Sequence, residues 1–391
     1  MHLQTVARVW LIAMLATAVP LAARAEDTTT VPITVINGHA FVSARINGHG
    51  PYSFALDTGA GDMIASDTAR TIGLHPSGSF RIYGTGEDAE RGSSAKVATI
   101  AIGTATLENT TFTVAPLERI RAAEGTPFDG LLGHELFARF VATIDYANRT
   151  LTLASPALFH APADATTLPL RSNGGIPVVA GSIDGIAGDF TLDTGDRGSL
   201  TLMSPFVARN RLRERYRPVA VGIVGMGFGG PVRAAVARIG TFTFAGFSLD
   251  GIAARFPTLR DGYFTSTRVA GNIGAGILSR FLVTIDVPDK KLVLSRADGY
   301  DLPDRFDRSG MWLMQTESGL RVGDLTPGGP AAKAAITVGD RIVSVDGRRS
   351  QTLSLPDLRA QLADPAESAV TIVLDHHGTT RTVVLALADL V

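Results

Sequence analysis

Two short stretches carry the residues best suited to chemistry. "FALDTGAGDMIAS" (54–66) and "FTLDTGDRGSLTL" (190–202) each drive an apolar run into an acid, then Thr, then Gly. The acids are Asp57 and Asp193. Gly59 and Gly195 allow a backbone shape and a close approach that a Cβ would block. Thr58 and Thr194 can offer hydroxyls that hold each loop. One such loop gives one carboxylate and little chemistry. Two related loops packed about a pseudo-dyad give two facing carboxylates. At about 3 Å, two like charges repel by roughly 5 kcal/mol at an effective dielectric of 20, or about four pKa units. The pair therefore shares one proton. The ionised acid can take a proton from water while the protonated one donates to a carbonyl and then helps a nitrogen leave, with no metal or cofactor required.

Such a pair needs two similar supports, and the chain repeats itself. "INGHGPYSFALDTGA" from Ile46 matches "IDGIAGDFTLDTGD" from Ile183. "IGTATLENTTFTV" from Ile102 matches "IGTFTFAGFSLDG" from Ile239. "GLLGHELFARFVATIDYANRTLTL" from Gly130 matches "GNIGAGILSRFLVTIDVPDKKLVL" from Gly271. The blocks keep their order at a spacing of about 137 residues, a normal domain size. Alternation such as "ATIAIGTATL" marks half-buried strands, and "ATIDYANRTLTL" and "VTIDVPDKKLVL" are expected hairpins turning at Asn148 and Asp289. Short helices are expected at "GHELFARF" and "GAGILSRF". After a charged, aperiodic linker, residues 305–391 form a smaller unit with a helix at "LPDLRAQL" and a closing hairpin.

The chain has 391 residues, 45% of them hydrophobic, a formal net charge of −1 and no cysteine. It is too long for one core, and its charge gives no reason to expect nucleic acid or an anionic membrane as partner. Residues 1–25 have the pattern of a cleaved export signal: Arg8, an apolar run interrupted by Pro20, then "ARA" ending at Ala25. The mature protein is expected in the periplasm or secreted, stable through packing alone.

The repeated blocks resemble the retropepsin and pepsin superfamily of aspartic peptidases, the bacterial retropepsin-like branch above all. The resemblance covers roughly 31–294. It implies a mainly β fold: two tandem retropepsin-like lobes at 26–160 and 161–298 in a pepsin-like bilobal arrangement. It further implies a dyad of Asp57 and Asp193, with Thr58, Gly59, Ala60, Thr194, Gly195 and Asp196 shaping the loops. The hydrophobic-hydrophobic-Gly brace falls on Leu131, Leu132 and Gly133 and, in the second lobe, on Ile273 and Gly274. Glycine-bearing flaps fall at Tyr83, Gly84 and Gly86 and at Gly225, Met226 and Gly227. Residues 305–391 resemble a circularly permuted bacterial PDZ domain through "GGPAAKAAITVGDRIVSVDG". That resemblance implies a small α+β module binding peptide or protein C-termini. Gly310, Met311, Trp312 and Leu313 would line one side of its groove, and Leu358 and Leu362 the other.

The implied activity is that of an endopeptidase acting on polypeptides as a monomer, since both halves lie in one chain. The second lobe departs from the pattern: Asp196 stands where the first has Ala60, and Asn272 interrupts the brace. These departures imply either a specialised second lobe, with Asp196 or Arg197 facing substrate, or a catalytically inactive peptide-binding protein on the same fold. A charged Asp196 near the dyad would raise its pKa values and move the working pH toward neutral. "GMGFGG" (225–230) fits a dinucleotide-loop string, but the repeat places it at a flap and Pro231 follows. His376-His377 precedes Gly378 in a hairpin turn without a third ligand, so no metal is expected.

Overall fold

The structure, a computed structural model, describes residues 28–391; the expected export signal lies outside the described residues. Strands Thr29–Ile36, His39–Ile46 and His49–Leu56 open the first lobe as an antiparallel meander. Asn37-Gly38 and Asn47-Gly48 make its turns with positive φ at both residues, which sets the right-handed twist of a two-residue hairpin. Asp184-Gly185 does the same between Ile176–Ile183 and Ile186–Leu192 in the second lobe.

The acid-bearing strand is held alike in both lobes. Gly130–Leu132 lies parallel to the end of His49–Leu56, pairing Leu56 with Leu132. Gly271–Ile273 lies parallel to Ile186–Leu192, pairing Leu192 with Ile273. Phe54 and Leu56 point into the first-lobe core and Phe190 and Leu192 into the second, all fully buried. Period-two alternation turns Ala55 to the opposite face, among Phe41, Ile82 and Phe128.

The lobes are joined through their last hairpins. Val141–Asp145 pairs with Thr150–Ala154, and Phe281–Asp286 with Lys291–Arg296. The inner strands then pair with each other across Thr143 and Thr284, whose hydroxyls are 2.8 Å apart. Thr166–Pro169 adds to one side of this shared sheet and Thr29–Ile36 to the other. Thr143 and Thr284 occupy corresponding places in the two repeats, so the approximate twofold passes between them. The expected turns contain Asn148 and Asp289, and the expected short helices are His134–Arg139 and Ala275–Leu278.

The segment after 298 is not a loose linker. Asp304 is buried against the second lobe, accepting from the Ser199 hydroxyl at 2.6 Å and the Ala253 N–H at 2.8 Å, with Arg280 at 3.5 Å. The third module folds strands Met311–Thr316, Gly319–Leu325, Arg341–Val345, Ala369–His376 and Thr379–Ala386 with the helix Leu355–Leu362. Met311–Thr316 is an edge strand, paired with Gly319–Leu325 alone. Ser354 caps the helix by accepting from the Asp357 N–H.

Candidate active site

The two Asp-Thr-Gly loops meet where the lobes join. Each Thr N–H donates to the other Thr hydroxyl at 3.1 Å. The Thr58 hydroxyl donates to the Leu192 carbonyl at 2.8 Å, and the Thr194 hydroxyl to the Leu56 carbonyl at 2.7 Å. These four bonds tie each loop to the strand that delivers the opposite acid. Asp57 and Asp193 lie within hydrogen-bonding reach of one another. Within its own loop, the Gly59 N–H donates to Asp57 Oδ1 and the Gly195 N–H to Asp193 Oδ1, both at 2.9 Å. A Cβ on Gly59 would lie 2.7 Å from Asp193 Cγ, and one on Gly195 2.4 Å from Asp57 Cγ. The glycines are what let the acids approach.

The brace residues support the loops from behind. Leu132 accepts from the Asp57 N–H and Ile273 from the Asp193 N–H, each at 2.9 Å. Leu131 shares the edge of the apolar cluster around Ala55. A Cβ on Gly133 would be 2.1 Å from the Ala60 carbonyl oxygen, and one on Gly274 2.2 Å from that of Gly198. The Gly133 N–H donates to Asp62 Oδ1 at 2.7 Å, whereas Asp62 Oδ2 is buried with no partner. Burial raises the Asp62 carboxyl to about 6, against the opposing pull of that N–H.

Burial raises both loop acids. For Asp193 the charges of Asp57 and Asp196 add to it, and its pKa sits well above the ordinary range. For Asp57 the Gly59 N–H and nearby His39 oppose the rise. Asp196 does not face an open cleft. Burial would raise it, but Arg255 at 2.8 Å, the Gly198 N–H, Asn272 and Thr201 together bring its pKa below the usual value. Its neighbour Arg197 turns the other way, to Glu124 at 2.9 Å.

Two glycine-bearing hairpins, one from each lobe, meet at their tips. Ser77–Tyr83 and Ala89–Ile102 form one; Val219–Gly227 and Gly230–Arg238 form the other, turning at Phe228-Gly229. Their tips touch: Gly86 N–H donates to Phe228 O at 2.9 Å and Asp88 N–H to Gly229 O at 3.0 Å. Gly84 and Gly86 leave no room for a Cβ against Phe228 and Gly229. Gly225, Met226 and Gly227 lie on the second hairpin, so the glycine string shapes a flap-like turn between strands. Phe228 reaches into the first lobe's apolar cluster with Phe41, Ile82 and Leu117. Tyr83 points outward and is 69% exposed.

The third module's groove meets the first lobe. The helix Glu118–Glu124 packs along the edge strand Met311–Thr316. Arg359 reaches from the module's helix to the Leu313 carbonyl at 3.0 Å and the Ala123 carbonyl at 2.5 Å. Its guanidinium and that of Arg197 both lie over Trp312, whose Nε1 is buried without a partner. Glu124 collects these groups. Burial would raise its pKa, yet Arg197, His39 and Arg359 hold it far below the carboxylate range. Burial and Arg197 lower Arg359 to about 9. A cavity of about 810 Å³ opens beside Gly310, Met311 and Trp312.

Here the groove departs from the expectation drawn from sequence. Leu313, Leu358 and Leu362 are buried in the module's own core, because that face of the helix covers its sheet. The helix face lining the cavity carries Pro356, Arg359, Ala360 and Ala363. No group of three or more potential metal-ligating side chains gathers among the described residues. His376 and His377 sit at a hairpin turn, with His376 Nδ1 2.6 Å from Asp340.

A mainly β chain whose paired, acid-ended strands meet across an approximate twofold has the retropepsin-like arrangement. Residues 42–136 match the family described as aspartyl protease, and residues 321–375 match the PDZ domain family. The chain thus combines an aspartyl protease segment with a C-terminal PDZ domain. No curated protein matches it. Among solved structures it is similar to an aspartic proteinase from Irpex lacteus, at 14% identity, covering 71% of this chain and 99% of that one with a TM-score of 0.45. It is also similar to Basic 7S globulin from soybean, at 11% identity, covering 71% and 97% with a TM-score of 0.42.

Proposed function

We propose that the chain is an exported aspartic endopeptidase in which Asp57 and Asp193 activate water, and whose PDZ domain binds polypeptide C-termini. The observation that carries the reading is the reciprocal threonine bonding that brings two glycine-backed acids into contact. Asp193, with two acids beside it, holds the shared proton; Asp57 is the carboxylate. Asp57 takes a proton from water as the oxygen attacks the scissile carbonyl carbon. Asp193 gives its proton to the carbonyl oxygen. The resulting gem-diol then collapses as the departing nitrogen is protonated by Asp57 and a hydroxyl proton returns to Asp193. The extended substrate lies beneath the two hairpins. Export follows from the signal-like residues 1–25.

The test is cleavage of a broad peptide library by the chain lacking residues 1–25, compared with Asp57→Asn and Asp193→Asn. Wild-type cleavage lost in both variants supports the reading. Cleavage that survives in both ends the dyad assignment, and no cleavage by the wild type favours a binding protein on the same fold.

A further inference from the structure

The two loop acids look alike in sequence, but five matching positions around them differ. Pairing in the two lobes fixes the correspondence. Leu131 lies opposite Met63 and beside Ala55, and Asn272 lies opposite Thr201 and beside Thr191. Met63 in turn pairs with Thr113, and Thr201 with Arg255. The first-lobe set of Ala55, Ala60, Met63, Thr113 and Leu131 is uncharged and mainly apolar. The second-lobe set of Thr191, Asp196, Thr201, Arg255 and Asn272 holds a carboxylate, a guanidinium and a carboxamide. The second lobe thus holds a charged residue with its counter-ion and an amide that bridges toward the loop acid.

Asn272 is 1% exposed. Its Nδ2 donates to Asp193 Oδ2 at 3.0 Å and to Asp196 Oδ2 at 3.2 Å. Its Oδ1 accepts from the Thr191 hydroxyl at 2.7 Å, and that hydroxyl also accepts from Tyr263 OH at 3.1 Å. The amide orientation follows from Asp196, because the reverse would aim a carbonyl at that Arg255-paired carboxylate. Tyr263 completes a line to the flap, its own N–H donating to Gly84 O at 2.9 Å. Among the described residues, Asn272 is the one side chain outside the acid pair itself that donates to either acid.

We propose that Asn272 is a positioning residue for Asp193: its carboxamide fixes the outer carboxylate oxygen of that acid and links it to the Arg255-neutralised Asp196, making the dyad asymmetric. The proposal rests on the peptidase reading for its catalytic meaning. Oδ2 of Asp193 is engaged by the amide, while Asp57 keeps an oxygen without a side-chain donor, free for water. An N–H donor favours the ionised form of Asp193, offsetting what burial and the neighbouring acids do. The other titratable or charged groups acting on this pair are Asp57, Asp196, Arg255, His39, Tyr146 and Tyr263.

The test uses the chain lacking residues 1–25 with ¹³C-labelled aspartate, following the Asp193 carboxyl carbon by NMR against pH, alongside the pH profile of kcat/KM. Two variants are compared with wild type. Asn272→Leu installs the first-lobe residue, keeps nearly the same volume and removes the donor; Asn272→Gln keeps a carboxamide. In Asn272→Leu the Asp193 midpoint is expected to rise by about one pH unit, since a hydrogen bond to a charged group is worth about that much; in Asn272→Gln it should stay closer to wild type. The activity profile should move the same way. A purely packing role would leave the near-isosteric Asn272→Leu titrating like wild type. If Asn272→Leu folds and its Asp193 titrates unchanged, the inference fails even where wild type cleaves peptide. If wild type cleaves nothing but the midpoint moves, the positioning role stands and the peptidase reading falls.

Discussion

Thr58 and Thr194 hold each other across the lobe interface, each N–H on the other's hydroxyl at 3.1 Å, with both side chains buried. Each hydroxyl also donates to the strand end beneath the opposite acid. Removing one hydroxyl therefore strands a buried N–H and a buried carbonyl together. Thr58→Val and Thr194→Val keep the shape and should each lose about 2–4 kcal/mol in urea unfolding. The double variant should lose less than the sum, because the two changes remove members of one network. Additive losses would mean that the residues act separately.

Gly59 and Gly195 fix the distance between the acids. A methyl group at either place would overlap the opposite carboxyl carbon. Gly59→Ala and Gly195→Ala should each lower kcat by at least about 100-fold, as expected for a misplacement of roughly 1 Å at the reacting groups. Circular dichroism should show the strands retained. A variant with near wild-type kcat would show that the acids need no such approach.

Asp62 gives the first lobe a pH dependence. Its carboxyl titrates at about 6 in the fold against an ordinary 3.8. A folded pKa raised above the unfolded value means stability that is full at low pH and falls away as pH rises through about 6. Between about pH 4 and pH 7 this group should cost the wild type at most about 3 kcal/mol. Asp62→Asn should remove that slope, gaining relative stability at pH 7 and little at pH 4. Thermal melts of both proteins across this range decide it; parallel curves would refute it.

Arg359 lies between the PDZ strand and the first lobe, on the Leu313 and Ala123 carbonyls. A peptide adding to the Met311–Thr316 edge needs that carbonyl and must displace the helix Glu118–Glu124. Arg359→Ala should bind C-terminal peptides on the order of 10-fold more tightly, the loss of one charge-assisted bond shifting the balance by that much. Glu124 keeps Arg197 and His39, so the lobe should remain folded. In the chain lacking residues 1–25, Trp312 is the only tryptophan and reports binding by its fluorescence. Equal affinities would show that Arg359 does not guard the groove.

Much of the scaffold can be read from local signals. An apolar run ending in Asp-Thr-Gly, twice, marks both acids, and the Asn-Gly and Asp-Gly pairs mark turns whose dihedrals only a few residues tolerate. Asn272 is visible as a break in the brace, but its use is not: its partners lie 76 to 81 positions away, and the donor makes sense only once Asp196 has Arg255. Glu124 is hidden for the same reason, with partners on three separate segments. "LPDLRAQL" shows an amphipathic helix without saying which body its apolar side covers. The leucines face the module's own sheet, and the residue reaching out is the arginine between them.

The PDZ edge strand and the helix that packs along it are parts of one polypeptide, so the helix is a tethered competitor present at an effective concentration on the order of millimolar. An incoming chain end at micromolar concentration must overcome that advantage through contacts the helix cannot make, such as a terminal carboxylate placed in the cavity beside Gly310. Weak or internal sequences would be refused unless their concentration approached that of the tethered helix, and discrimination would come from the cover as much as from the groove.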